Sequence, residues 1–314
     1  MKIKYMTAGI LISTSLFAKE LDLYSKDFVK YKGVDILNFY IPVEEKNKFR
    51  TYIDYEKTDD LDTITWNIGE GYIELDKRWE LEYDVERKFY RGDANYRGWN
   101  STFTFVRDEI NTNFFGKSWD TSFVFGLEQE TLEDIPFNFE RYKLYGGYRF
   151  RTPLDIGMGG TYFGFDILGK KVFSTIEDGV SGEINLVSST NLGYGFQFFN
   201  TIYNEYMSYD NNEGYRVGLE SYLRWTYELG MDFAFAVEFG IDSDKYFGST
   251  NLDYSNELYF LPYILYSHNF TQRFRVFAEL GLPGYKIKEN KAKSYDSNDS
   301  GIYYYGKIGV EYIF

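Results

Sequence analysis

The chain has no cysteine, one histidine and five prolines in 314 residues. The absence of cysteine excludes disulfides, thiolate nucleophiles and thiolate metal sites. The single histidine, His268, leaves imidazole catalysis one candidate and falls short of any usual histidine cluster for a metal. Beyond the first 18 residues no apolar run reaches the ~20 residues of a membrane helix, so a membrane role for the rest requires strands. Basic residues are also in deficit, 34 against 48 acidic ones, for a formal charge of -14. That balance disfavours nonspecific binding to nucleic acid. No cofactor and no metal site is expected, because the acidic stretches Asp59-Asp60 with Asp62, and Asp242 with Asp244, match no calcium-loop spacing.

What is present begins with a secretory pattern. Lys2 and Lys4 give a positive start, Met6 to Phe17 a largely apolar run, and Ala18 a small residue at the cut, so residues 1–18 read as a signal peptide. Leu16 departs from the small residue favoured two positions before cleavage. Residues 19–46 precede the first clear strand and read as a periplasmic or lumen-inserted segment, although Val34 to Val43 is largely apolar. Residues 47–314 form one unit with no internal linker.

Within that unit the period is two. Phe233, Phe235, Val237 and Phe239 alternate with Asp232, Ala234, Ala236 and Glu238. The closing stretch sets Tyr304, Ile308, Val310 and Tyr312 against Tyr305, Lys307 and Glu311, and ends on Phe314. One face suits lipid and the other water, the pattern of a membrane β-barrel. Counting back from Phe314 gives fourteen segments: 301–314, 273–287, 255–267, 229–241, 213–227, 193–206, 179–190, 154–165, 138–150, 117–128, 98–109, 79–91, 65–75 and 47–57. Short connections such as Asp76 to Arg78, Arg151 to Pro153, Asn191-Leu192 and His268 to Gln272 alternate with long polar ones. The long ones are exemplified by Asp166 to Asp178, Asp242 to Tyr254 and Lys288 to Ser300. This rhythm predicts an all-β, transmembrane, antiparallel up-and-down barrel of fourteen strands, with both barrel ends of the chain in the periplasm. Trp66, Trp79, Trp99, Trp119 and Trp225 fall near segment ends, as an interfacial girdle would.

The face opposite the apolar set is densely charged. It offers Lys48, Arg50, Asp54 and Glu56 on the first segment, and Glu80, Glu82, Asp84, Glu86 and Lys88 on the third. Arg141, Lys143 and Arg149 follow on the sixth, and Arg216, Glu220 and Arg224 on the tenth. Arg273, Arg275, Glu279, Lys307 and Glu311 stand near the closure. So many charges are too costly to bury dry without pairing, and they imply a hydrated channel. An acidic third strand opposed to a basic sixth would set a transverse field across water; pairing between adjacent strands is the plainer reading. The long loops, Asp166 to Asp178 and Lys288 to Ser300 in particular, are expected to set the constriction.

Over Asn47 to Phe314 the chain resembles the OmpG-type porins, on its strand count, its long-short connections and its closing Gly306 to Phe314 strand. That resemblance implies a monomeric barrel passing ions and small hydrophilic solutes by passive diffusion. It also implies a basic eyelet wall of Arg141, Lys143, Arg149, Arg216 and Arg224 facing Glu80, Glu82 and Asp84. Tyr312 and Phe314 would then be the signal read by the outer-membrane assembly machinery, and outer-membrane lipid with lipopolysaccharide would surround the wall. Having one histidine, the chain lacks the pair through which that family gates with pH. An alternative is a channel selective for acidic or neutral oligosaccharides, with Tyr145, Tyr222, Tyr259 and Tyr263 as a stacking track. An enzymatic barrel has only His268 beside Ser267 on a predicted turn, and an adhesin or autotransporter lacks a passenger domain, so no enzyme is expected.

Overall fold

The computed structural model describes residues 47–314 except 58–61, 92–95, 109–110, 134–137, 155–160, 194–195, 211, 227–232, 249–251, 272 and 293–295. The signal-peptide and 19–46 readings lie outside the described residues. The strands are β1 (Asn47–Lys57), β2 (Asp62–Glu74), β3 (Trp79–Arg91), β4 (Tyr96–Asp108), β5 (Thr112–Phe114), β6 (Lys117–Glu133), β7 (Phe139–Leu154) and β8 (Thr161–Ser174). They continue as β9 (Gly179–Gly193), β10 (Phe196–Tyr209), β11 (Asn212–Thr226), β12 (Phe233–Gly248), β13 (Leu252–Asn269), β14 (Phe274–Gly281), β15 (Gly284–Ala292) and β16 (Asp296–Ile313).

Neighbours along the chain pair antiparallel, and β1 pairs with β16, from Lys48 opposite Ile313 to Lys57 opposite Tyr304, which closes the ring. β14 and β15 both lie between β13 and β16, so they are two halves of one strand interrupted at Leu282 and Pro283. Proline has no N–H for the ladder, and the Leu282 N–H donates instead to the Pro262 carbonyl at 2.8 Å. Strand β5 pairs only with β6, through a turn in which Phe115 and Gly116 both have positive φ, 51° and 68°. Fourteen wall positions remain, the number the alternation predicts. Every backbone polar group of a wall strand can pair within such a ring, the condition for crossing hydrocarbon.

Side-chain parity is continuous around the wall. Ile53, Trp66, Phe125, Leu144, Tyr148, Ile167, Ile184, Tyr206, Ile241, Phe260, Ile264, Leu280 and Ile308 all stand exposed on the outside. Lys48, Arg50, Asp54, Arg149, Asp166, Lys170, Arg275 and Glu311 are buried on the inside. An apolar exterior around a charged interior is the topology of an outer-membrane barrel that crosses the bilayer with many strands.

The predicted long loops are a correction. Asp166 to Asp178 is largely strand, because β8 runs to Ser174 and only four residues precede β9. Likewise β12 runs to Gly248 and β13 starts at Leu252, while β15 and β16 take up most of Lys288 to Ser300. Arg151 to Pro153, expected as a turn, lies within β7. Polar composition had disguised strands that rise past the apolar band, where outward residues turn polar. Gln129, Thr131 and Glu133 on β6, Ser243 on β12 and Asn256 on β13 are examples, the last two hydrogen-bonded at 2.6 Å. The barrel is a tall palisade with short connections at the end away from the termini.

Candidate functional site

The interior is organised by ion pairs that join strands. At the seam, Glu311 of β16 is fully buried and meets Arg50 Nη2 at 2.8 Å, Lys48 Nζ at 3.4 Å and the guanidinium of Arg275. Arg50 also binds Glu70 of β2 at 2.9 Å and lies 5.3 Å from the Phe277 ring centroid. Four strands, β14, β16, β1 and β2, are thereby tied through one carboxylate and its cations.

A second network spans more wall. Arg149 of β7 grips Glu82 of β3 with both terminal nitrogens, one of them at 2.7 Å. Two strands, β4 and β6, lie between the partners. Arg151 binds Asp166 of β8 at 2.6 Å, and Arg149 Nε lies 3.8 Å from the same carboxylate. Nearby, Val106, Val124 and Leu168 form an apolar cluster and Tyr145 is hydrogen-bonded to Thr104. A third network places Lys170 of β8 against Glu183 of β9 and 3.6 Å from Glu205 of β10, whose carboxylate accepts from Ser181 at 2.6 Å.

Nearer the far end, Arg141 pairs with Glu130, and Lys143 with Glu128 at 3.1 Å, beside a polar recess of about 300 Å³. Lys88 pairs with Glu86 at 3.1 Å. Lys307 is 3.6 Å from Glu279 and sits over the Tyr52 ring at 4.4 Å. Arg216 faces Tyr203 at 4.9 Å. By register Glu220 and Arg224 share its face of β11, but their side chains lie outside the described set. Glu80 stands on the same face of β3 as Glu82, opposite Glu74 and Val106. Arg273 is exposed in the turn before β14.

The expected facing walls are thus brought together. Glu82 and Arg149 touch, and Arg141 and Lys143 are satisfied by their β6 neighbours, so these groups form struts rather than banks opposed across water. Acidic groups remain: Asp54, Glu56 and Asp84 share the β1–β3 face and make no salt bridge among the described residues, although Asp84 accepts from Asn67 at 2.7 Å. Sequence reading missed Arg151, Asp166, Lys170, Glu183 and Glu205. Parity within 161–174, where Asp166, Leu168, Lys170 and Val172 alternate with Ile167, Lys171 and Phe173, was the available signal.

Tyr145 and Tyr263 are buried, the first on Thr104 and the second against Tyr305 at 6.3 Å, so they offer no continuous stacking track. His268 lies at the end of β13 rather than in a turn and points outward onto Phe270 at 4.9 Å, while Ser267 is buried on the inward face. Nucleophile and base therefore stand on opposite faces. Tyr312 and Phe314 stack at 6.1 Å on the outer wall.

No family model matches the sequence, and no curated protein matches it. Solved structures give distant likenesses. OmpT (in-vitro folded), an outer membrane protein of Vibrio cholerae, has a TM-score of 0.41 at 10% identity, covering 88% of this chain and 100% of that one. An anion-selective porin from Comamonas acidovorans has 0.41 at 9% identity, covering 85% and 98%. CdiB from Acinetobacter baumannii has 0.45 at 13% identity, covering 85% and 60%. At these scores nothing transfers from them, and the barrel stands on its own closed ring, polar within and apolar without.

Proposed function

We propose that this chain is a porin of the OmpG type, a water-filled outer-membrane channel for passive diffusion of ions and small hydrophilic solutes, working as a monomer. The observation that carries the reading is the interior itself: a closed ring of fourteen wall positions lined by charged side chains from nearly every strand. Arg50, Arg149, Arg275 and Glu311 are buried in their pairs, while Lys88, Arg141, Lys143 and Lys307 keep part of their side chains exposed, the arrangement of a bore narrowed by struts. Arg50, Glu80, Glu82, Asp84, Glu86, Arg141, Lys143, Arg149, Arg216, Glu220, Arg224, Arg275, Glu279 and Lys307 are the proposed pore lining, most of them as strut members that hold the bore open.

Because the described cations are largely neutralised in pairs and Glu56 makes no salt bridge among the described residues, the residual acidic charge of the bore favours cations. Tyr312 and Phe314 are proposed as the assembly signal. The test is single-channel conductance of the refolded protein in a planar bilayer, with reversal potential in a salt gradient. Stable steps with cation preference are expected, and Glu56→Gln should lower the permeability ratio about two- to fivefold, equivalent to up to about 1 kcal/mol of Coulomb energy in water. Folded, inserted protein that passes no current would overturn the pore.

A further inference from the structure

Among the described residues the outer wall carries a cationic patch where strands β1 to β4 and β6 approach the far rim. Cross-strand register lays it out in three rows. The outermost row holds Lys57, Asp62 and Arg91; the next holds Tyr55, Ile64, Phe89, Arg97 and Glu133; the third holds Ile53, Trp66, Arg87 and Trp99. Lys57 pairs with Asp62 at 3.2 Å, which leaves three guanidinium groups, Arg87, Arg91 and Arg97, against Glu133 in these rows, on a chain whose formal charge is -14. Directly below the charges, Ile53, Tyr55 and Trp66 are exposed to the surroundings.

The patch is built rather than scattered. Arg87 is nine-tenths buried although it points outward, held by Glu133 through two bonds of 3.1 and 2.9 Å and lying 4.7 Å from the Trp99 ring centroid and 5.7 Å from that of Phe89. Arg97 reaches the same carboxylate at 3.0 Å, so Glu133 sets two guanidinium groups side by side while neutralising one charge. Arg97 keeps about half its side chain exposed, and Arg91 is exposed at the end of β3. Planar guanidinium groups recognise phosphate with directed hydrogen bonds, and fixing them in advance lowers the ordering cost of binding.

We propose that this patch is a docking site for a phosphorylated glycolipid of the outer leaflet, the phosphate chemistry of lipopolysaccharide, with the phosphate at Arg91 and Arg97 and the acyl chains along Ile53, Tyr55 and Trp66. The vertical order of the rows, charge at the rim and apolar rings beneath, is the order of groups in such a lipid. Charge complementarity selects an anionic head, and the apolar floor selects an amphiphile over a free anion. The assignment rests on the reading that the far rim lies in the outer leaflet.

Purified full-length protein in neutral detergent would be titrated with lipopolysaccharide, with the same glycolipid after enzymatic removal of its phosphates, with phosphatidylglycerol and with inorganic phosphate, binding being read by native mass spectrometry and thermal shift. Lipopolysaccharide should bind and raise the unfolding temperature, and dephosphorylated glycolipid and inorganic phosphate should not. Arg91→Ala with Arg97→Ala should weaken binding by roughly ten- to a hundredfold, the scale of losing charged hydrogen bonds. The reverse variants Arg91→Lys and Arg97→Lys should retain part of it, which guards against misfolding as the cause. Equal binding by the alanine variant, binding indifferent to phosphate, or preference for phosphatidylglycerol would each overturn the proposal. Conductance recorded on the same variants separates the two readings: unchanged steps with lost lipid binding leave the pore standing, while absent steps in every variant sink the pore whatever the lipid does.

Discussion

Glu311 is buried among Lys48, Arg50 and Arg275, cations contributed by the first wall strand and by β14. Removing its charge while leaving those cations in place should destabilise the barrel by roughly 3–5 kcal/mol, because the buried cations would then face one another without the carboxylate that joins them. Glu311→Gln is therefore expected to lower the urea midpoint of refolded protein strongly. A cost below about 1 kcal/mol would show that water reaches the site and screens it. Replacing Glu311 and Arg275 together with Leu and Met should cost less than the single change, since one of the three cations leaves with the carboxylate while Arg50 keeps Glu70. Gly71 is a second sensitive position: its φ is 151° beside the β2 bulge, and a Cβ there would run into the Lys48 carbonyl. Gly71→Ala should cost roughly 1–3 kcal/mol in the same measurement.

Between elements, the Arg149–Glu82 bridge ties β7 to β3 over the two strands that separate them, so it braces the wall as a chord braces an arc. A double-mutant cycle with Arg149→Ala and Glu82→Gln should give a coupling energy of roughly 1 to 3 kcal/mol in unfolding. Either single change should also raise conductance, because a bridging side-chain pair leaves the bore. Strand number, face and closing strand were legible in the sequence because alternation is a local property: Tyr304, Ile308 and Val310 show their side without reference to any other strand. The pairings were not legible. Asp166 read as a loop residue since its charge is matched only by Arg149 and Arg151 on the neighbouring strand, and Lys170 by Glu183 and Glu205 on the two strands beyond. Likewise Glu82 and Arg149 were assigned to opposed walls, because their approach depends on how the ring curves between them.

For the whole molecule, the absence of cysteine makes single-cysteine reporters clean. Phe115 is 91% exposed in the turn at the terminal end, and Ile176 is 77% exposed in the connection from β8 to β9 at the other. In intact cells Ile176→Cys should react with a membrane-impermeant maleimide, and Phe115→Cys should react only after the cells are opened; the opposite pattern would invert the barrel. The palisade has a consequence for electrical behaviour. Its connections are short, none longer than the stretches at 155–160 and 227–232, and the described inward cations are largely bonded across strands. Current noise in a channel comes from parts that wander in and out of the path, and here the narrowing is made of groups fastened to the frame. Open-state recordings should be quiet, with one dominant level, and breaking the Arg149–Glu82 bridge should convert that steady level into flicker.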